Sequence, residues 1–136
     1  MSKPIRAVFF DIGGTLGVVD LQTKTLTPFS DTVDLLRSLL KVSSIMAGVI
    51  TNIPDDWTTK DAETMLAAAG ILPFLDQRGL ITSQKAHANK PDVHIYQFAA
   101  DQLGVETSEC LFIDDDVNNV TGACKAGMSA VRKAPH

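Results

Sequence analysis

The sequence predicts an α/β fold, a doubly wound parallel sheet between two layers of helices in a Rossmann-like α/β/α core. Three observations lead there. Brief apolar runs alternate with segments of helical period, the order that builds βαβ units rather than a sandwich or a bundle. The runs are apolar throughout, as strands buried on both faces of a parallel sheet should be. Chemically active side chains then follow directly after those runs, at the carboxyl ends of strands where such sheets bind ligands.

Residues 5–10 (IRAVFF) predict the first strand. Residues 31–41 (DTVDLLRSLLK) predict a helix with Val33, Leu36 and Leu40 on one face, Leu35 and Leu39 beside it, an acidic first turn and a basic last one. Residues 45–51 (IMAGVIT) read as the second strand, residues 58–69 as a helix stopped at Gly70, and residues 79–82 as a weaker third strand. Residues 92–103 place Ile95, Phe98, Ala99 and Leu103 at helical offsets before Gly104. A strand at 110–114 (CLFID), a helix over about 117–126 closed by Gly127 and a short strand at 129–131 complete the series. No repeat, low-complexity tract or linker interrupts it, so residues 1–136 are expected to form one domain.

Of 136 residues, 45% are hydrophobic and 21% charged, which is ordinary for a folded globular chain and excludes disorder. Twelve Lys and Arg against sixteen Asp and Glu leave a net charge of -4 with no basic run to follow a phosphate backbone, so nucleic acid is not an expected partner. No apolar stretch approaches the roughly 18 to 20 residues that span a bilayer, and the first residues lack a cleavable-signal pattern. The expectation is no membrane partner and a cytoplasmic location. Cys110 and Cys124 lie fourteen positions apart without a CxxC or His-rich partner motif, so two buried thiols are expected rather than a zinc site or a disulfide.

The strand-end residues form a coherent chemical set. Asp11, Ile12, Gly13, Gly14, Thr15 and Leu16 follow the first strand and Thr51 and Asn52 the second. Lys90 and Pro91 precede the third main helix, and Asp114, Asp115 and Asp116, then Asn118 and Asn119, follow the fourth strand. In a doubly wound sheet these converge on one crevice. A carboxylate, backbone N–H groups freed by two glycines, a hydroxyl, an ammonium and a second carboxylate cluster are the parts that hold a phosphoryl group beside a divalent metal. Three successive aspartates repel one another unless a cation lies nearby.

The segments AVFFDIGGTL, GVITN, NKPDVHIYQFAADQLGV and CLFIDDDVNNVTGACKAGM occur in that order. With them the chain resembles, over nearly its whole length, the haloacid dehalogenase (HAD) superfamily of aspartate-nucleophile phosphohydrolases, whose first motif looks like hhhhDxDGT with h apolar. The resemblance implies that Asp11 is the nucleophile and forms an aspartyl-phosphate. It implies Thr51 as the hydroxyl on a phosphoryl oxygen, Asn52 as a backbone N–H donor, Gly14 as part of the phosphate loop and Lys90 as the ammonium that neutralises nucleophile and phosphate. Pro91 would then fit the first turn of the next helix. Mg2+ is the implied cofactor, held by Asp11, by the backbone carbonyl of Gly13 and by Asp115, with Asp114 the alternative because the register allows a shift of one. Asn119 and Thr15 are implied to steady these groups from behind.

One position departs from the pattern. Gly13 stands where most of the family's phosphatases carry a second aspartate, whose side chain protonates the leaving group and then deprotonates the hydrolytic water, work worth typically about 10² to 10⁴-fold. Glycine keeps the carbonyl and loses the acid, so capture of phosphate and turnover can separate. Four outcomes stay open. The protein hydrolyses phosphates with good leaving groups, such as acyl or aryl phosphates; or it performs dehalogenase-type or phosphonatase-type cleavage, since those branches also replace this aspartate. It holds a long-lived aspartyl-phosphate; or it is a catalytically impaired pseudo-enzyme that binds a phospho-ligand or regulates. Retention of Asp11, Thr51, Lys90 and Asp115 favours a phosphohydrolase.

Forty positions separate Asp11 from Thr51 and thirty-nine separate Thr51 from Lys90, so neither interval holds a cap domain, and about residues 17–30 remain for a flap. Capless members of the family tend to act on large substrates or to complete their sites by oligomerising, because an open crevice excludes water poorly. The expected partner is a phosphorylated small molecule or macromolecule, with a homo-oligomer as one way to close the site. His87, His94 and His136 show no ligand spacing and are expected to have no role. Trp57 is expected as a partly buried loop anchor more than as a border of the crevice, and Lys24 as an exposed lysine. A phospho-acceptor receiver domain has similar parts, but it places its acidic pair after the first strand, whereas here the pair comes late.

Overall fold

The computed structural model describes residues 3–135. In chain order its elements are β1 (Ala7–Phe10), a hairpin of β2 (Gly17–Asp20) and β3 (Thr25–Pro28), α1 (Ser30–Leu40), β4 (Met46–Thr51), α2 (Thr59–Ala68), β5 (Leu80–Thr82), the short α3 (Ser83–Ala86), α4 (Val93–Gln102), β6 (Cys110–Asp114), α5 (Val117–Lys125) and β7 (Ser129–Arg132). Three-residue 3-10 turns at Leu72–Phe74 and Thr107–Glu109 lead into β5 and β6.

Five strands pair in the order β5-β4-β1-β6-β7, every neighbour parallel. The chain leaves β1 toward β4 and β5 on one side and returns to β6 and β7 on the other, which opens a crevice at the carboxyl end of β1. α4 and α5 cover one face, where Phe9, Ile50 and Phe112 meet Ile95, Tyr96 and Ala123. α1 and α2 cover the other, where Phe10 and Val49 meet Leu36, Met65 and Leu66. Each of the Val, Leu, Ile, Phe and Met side chains among them contributes about 1.5 to 3 kcal/mol when fully buried. β7 departs from the expectation of buried strands: it is an edge with only β6 beside it, and its residues are mostly exposed.

The helix starts follow local chemistry. Thr58 and Asp61 form a reciprocal capping box on α2, Asp92 caps α4 through the His94 N–H, and Asp116 caps α5 through the Asn118 N–H. Pro91 precedes the Asp92 cap rather than occupying the first turn, a correction to the expected placement. Two apolar faces are also corrected. On α1 the buried residues are Thr32 and Leu36, four positions apart on one helix face, while Leu35 and Leu40 are exposed. On α4 the buried set is Ile95, Tyr96, Ala99 and Ala100, with Phe98 only partly covered. Cys110 lies buried in β6, but Cys124 is exposed, since the buried face of α5 is Gly122 and Ala123 and the next position turns outward. At Gly122 a Cβ would stand 2.7 Å from Pro91 Cβ, so glycine lets α5 lie against the loop that carries Lys90.

The flap expected at residues 17–30 is the β2–β3 hairpin, followed at once by the start of α1. Among the described residues no domain-sized insertion separates β4 from α4, and no helix is long and apolar enough to cross a membrane.

Candidate active site

Pairing of β1 with β4 and β6 brings the strand ends carrying Asp11, Thr51 and Asp114 side by side, and the Asp11 N–H extends the ladder to the Ile113 carbonyl at 3.0 Å. Lys90 reaches the same spot from the loop before α4. Its Nζ lies 2.7 Å from Asp11 Oδ1 and 3.0 Å from Asp114 Oδ2, with the side chain 2% exposed. The Phe112 ring centroid is 5.4 Å from that ammonium, which adds a cation–π attraction to the two ion pairs.

Asn52 fixes the Lys90 backbone in both directions. The Lys90 N–H donates to Asn52 Oδ1 at 2.8 Å and Asn52 Nδ2 donates to the Lys90 carbonyl at 3.1 Å. This carboxamide clamp goes beyond the backbone role expected of Asn52; an amide side chain directly after a strand was the available signal. The Thr51 hydroxyl makes only a long 3.4 Å contact to the Asn52 carbonyl, which leaves it weakly held.

Asp114 is fully buried and both its oxygens are engaged. Oδ1 accepts the Asp116 N–H at 2.9 Å, and Oδ2 accepts Lys90 and, at 3.0 Å, Asn119 Nδ2. Asn119 is steadied in turn by the Tyr96 hydroxyl, which donates to its carbonyl at 2.7 Å. Burial raises the Tyr96 phenol, so that O–H stays a donor. Tyr96 was not singled out in the sequence; its place four residues after the Lys-Pro-Asp segment, on the buried face of α4, is the only hint there.

Asp115 turns to the opposite side and lies over Gly14, where a Cβ would stand 2.8 Å from the Asp115 carboxyl carbon. Gly14 has a φ of +83°, so both backbone and space require glycine. Its N–H donates to the Gly17 carbonyl at 2.8 Å. Thr15 is buried behind the loop, where its carbonyl accepts the Thr32 hydroxyl at 2.9 Å while its own Oγ1 lacks a protein partner. Gly13 differs from Gly14. Its φ lies outside the left-handed range and the nearest atom to a Cβ would be Val19 Cγ2 at 3.8 Å.

Asp11, Asp114 and Asp115 each present a carboxylate oxygen, all within 4.8 Å of one another. Burial pushes Asp11 up to about 6 against the pull of Lys90, with Asp114 adding to the rise. Burial also raises Asp115, and Asp114 adds to that rise. Such mutual repulsion is relieved by a cation, and an all-oxygen donor set over a cradle that excludes even a methyl group fits a hard divalent ion such as Mg2+.

Beside Asp11 a crevice of about 240 Å³ opens between Gly13 and Thr51 on one side and Val19, Leu21 and Trp57 on the other. Trp57 both anchors its loop, at 5% exposure, and borders the crevice. Lys24, expected as a free surface lysine, pairs with Asp61 at 3.2 Å and lies 5.5 Å from the Trp57 ring centroid, tying the hairpin turn to the start of α2. His87 ends α3 and His94 pairs with Asp92; neither joins the Asp11 cluster, and His136 lies outside the described residues.

Fold and site together define a class: a doubly wound Rossmann-like domain with an acidic pocket, gathered around a buried lysine at the end of its first strand. Residues 18–133 match the family of haloacid dehalogenase-like hydrolases, and the chain belongs to that family. The matched stretch begins after Asp11. Over 86 residues the chain is 38% identical to a phosphatase of Mycobacterium tuberculosis, covering 63% of this chain and 37% of that protein. Over 109 residues it is 30% identical to (S)-2-haloacid dehalogenase 4A of Burkholderia cepacia, covering 80% of this chain and 44% of that one. The chain thus spans less than half the length of these curated relatives. The solved L-2-haloacid dehalogenase of Xanthobacter autotrophicus shares the fold at a TM-score of 0.77 and 18% identity, over 94% of this chain and 77% of the other.

Proposed function

We propose that the protein is a Mg2+-dependent phosphohydrolase that works through an aspartyl-phosphate on Asp11. One observation carries the reading: a buried lysine ammonium bridges Asp11 and Asp114 inside a cluster of three carboxylates. That arrangement orients one carboxylate for attack and supplies positive charge where a phosphoryl group adds negative charge. Phosphatases and haloacid dehalogenases among the relatives support the hydrolase class. A phosphorylated substrate, one domain over residues 1–136 and a cytoplasmic site of action go with it.

In this mechanism Lys90 holds Asp11 Oδ1, so the carboxylate presents a fixed edge to phosphorus. A carboxylate oxygen attacks, the bond from phosphorus to the leaving oxygen breaks, and the leaving group departs with the electron pair. Water then attacks phosphorus, the bond from Asp11 to phosphorus breaks, and inorganic phosphate leaves; the surplus proton of the water passes to solvent or to the departed oxygen. The Thr51 hydroxyl donates to a phosphoryl oxygen, and Lys90 neutralises the charge of nucleophile and phosphoryl group. Mg2+, bound by Asp11, the Gly13 carbonyl and Asp115, would neutralise phosphoryl charge. Asp115 is preferred to Asp114 as the direct ligand because the oxygens of Asp114 already accept Lys90, Asn119 and the Asp116 N–H.

No acid stands at position 13, so the leaving group must depart without a proton from that side chain. Open space at Gly13 beside an apolar crevice favours a second reading, displacement of halide from carbon by Asp11, which needs no general acid. The deciding experiment is hydrolysis of acetyl phosphate, p-nitrophenyl phosphate, alkyl phosphates and 2-chloropropionate, with and without Mg2+, in wild type, Asp11→Asn and Gly13→Asp. Expected are Mg2+-dependent cleavage of the activated phosphates, its loss in Asp11→Asn and its extension to alkyl esters in Gly13→Asp. Release of chloride alone establishes the second reading. If wild type and Gly13→Asp are both inert while Mg2+ binds, the protein is a phospho-ligand binder and the proposal is withdrawn.

A further inference from the structure

Resting on the phosphohydrolase reading, we infer that the substrate is an aryl phosphate whose ring seats between Trp57, Leu21 and Val19, with Leu21 and Trp57 as the residues that set this specificity. The crevice next to Asp11 is poor in polar groups. Its polar side-chain groups are those of Asp11, Thr51 and Asn52 together with the indole N–H of Trp57, and the carboxamide of Asn52 is committed at both ends to the Lys90 backbone. With Asp11 and Thr51 assigned to the phosphoryl group, the indole N–H of Trp57 is the one polar side-chain group of this lining left for the rest of the substrate. A sugar or charged leaving group would strand its hydroxyls or charges against carbon, a loss that such sites discriminate strongly.

What the crevice offers instead is hydrocarbon. Ile53 and Met65 stand beside Trp57, and Val19 faces the place where a side chain at position 13 would project. Cavities of about 150 Å³ lined by aliphatic side chains already take benzene. A crevice of about 240 Å³ therefore holds one substituted ring. The Lys24 contacts to Asp61 and Trp57 hold the hairpin at this width. The same conclusion follows from reactivity: a phenolate leaves without a proton far more readily than an alkoxide, which suits a site with glycine at position 13. The polar groove lined by Asn118, Thr121 and Lys125 opens on the other side of Lys90 and does not include Asp11.

The test separates ring recognition from turnover by using two non-hydrolysable probes with the same head group, phenylphosphonate and methylphosphonate, in the presence of Mg2+. Trp57 is the single tryptophan, so its fluorescence reports the crevice directly. Expected is binding of phenylphosphonate at least about tenfold tighter than methylphosphonate, with a change in Trp57 emission for the aryl probe only. Leu21 is 62% exposed, so Leu21→Ser keeps the fold while it narrows the ratio to about twofold. Equal affinities in wild type, with acetyl phosphate still cleaved in an Asp11-dependent way, overturn the aryl inference and leave the phosphohydrolase reading standing. Binding of neither probe together with no Asp11-dependent cleavage of acetyl phosphate overturns both.

Discussion

Replacing Lys90 by Met tests whether the buried ammonium holds the site together. The substitution keeps an unbranched side chain one atom shorter and removes one positive charge lying 2.7 Å from Asp11 and 3.0 Å from Asp114. At an effective dielectric near 20 those contacts attract by about 6 and about 5.5 kcal/mol. Most of that is offset by the desolvation of the ammonium, which the variant no longer bears; breaking a buried pair by removing one partner costs a net of about 3 to 5 kcal/mol. An unfolding entropy of about 2.1 cal/mol/K per residue converts this, for 136 residues, into a Tm lower by about 10 to 17 °C. The assay is thermal unfolding by circular dichroism at pH 8 in EDTA. Asp11 already sits at about 6 with Lys90 beside it, and without the ammonium it rises further, so lowering the pH to 5.5 protonates it and shrinks the deficit. Adding Mg2+ restores part of the loss as well. A Tm within about 3 °C of wild type at both pH values would refute the account and rank the pair with surface salt bridges.

Asp11→Asn has the opposite sign. Because Asp11 is raised from 3.8 to about 6, its contribution to stability is fully present below about pH 3.8 and is lost as pH rises through about 6. The metal-free variant is therefore more stable than wild type at pH 8, and the difference closes toward pH 4 in paired melting curves. Gly14→Ala forces a methyl group into the Asp115 carboxylate at a φ of +83°, so Mg2+ affinity and phosphate hydrolysis fall by at least about 100-fold, read by calorimetry and turnover. Burial pushes the Cys110 thiol up to about 12 while Cys124 is exposed, so iodoacetamide at pH 8 adds a single carboxamidomethyl group, on Cys124, in the intact-mass spectrum.

The parts of this fold that the sequence makes legible are those whose signal is local. Strands β1, β4 and β6 are four to six residues long and apolar except for the last residue of β4 and of β6, and their bounds fall within two residues of those read from the sequence. The β2–β3 hairpin is different: each strand is four residues long and only Gly17 and Leu26 are buried, too little for a period to show. On α1 the buried Thr32 defeats a hydrophobicity pattern because its hydroxyl is satisfied at a distance, by the Thr15 carbonyl. The site follows the same rule. Asp11, Thr51 and Asp114 each lie at a strand end and can be placed by counting, whereas the Asn52 clamp on Lys90 spans 38 positions and the Lys90 contact to Asp11 spans 79. Which aspartate faces inward, and that Gly14 gives its N–H to Gly17, are decided by the turn of the backbone after the strand.

The two adjacent glycines carry different information. Gly14 is dictated by structure, since its φ is positive and Asp115 occupies the space a side chain would need. Gly13 is dictated by neither: its backbone is ordinary and its Cβ would meet only Val19 at 3.8 Å. A Cβ is accommodated there at ordinary van der Waals distance, so neither the backbone nor the first side-chain atom imposes glycine. If the site had simply decayed, the buried Lys90, Asp114 and Asn119 network would be the costly part to keep, because unpaired carboxylates in a low-dielectric pocket destabilise the fold. That network is intact, with Tyr96 and Phe112 behind it. A site that retains its charged machinery and omits only the proton donor is suited to a leaving group that needs no proton. The apolar wall opposite Gly13 points to the same kind of substrate, and Gly13→Asp tests the missing proton donor directly, because it raises the rate on alkyl phosphates.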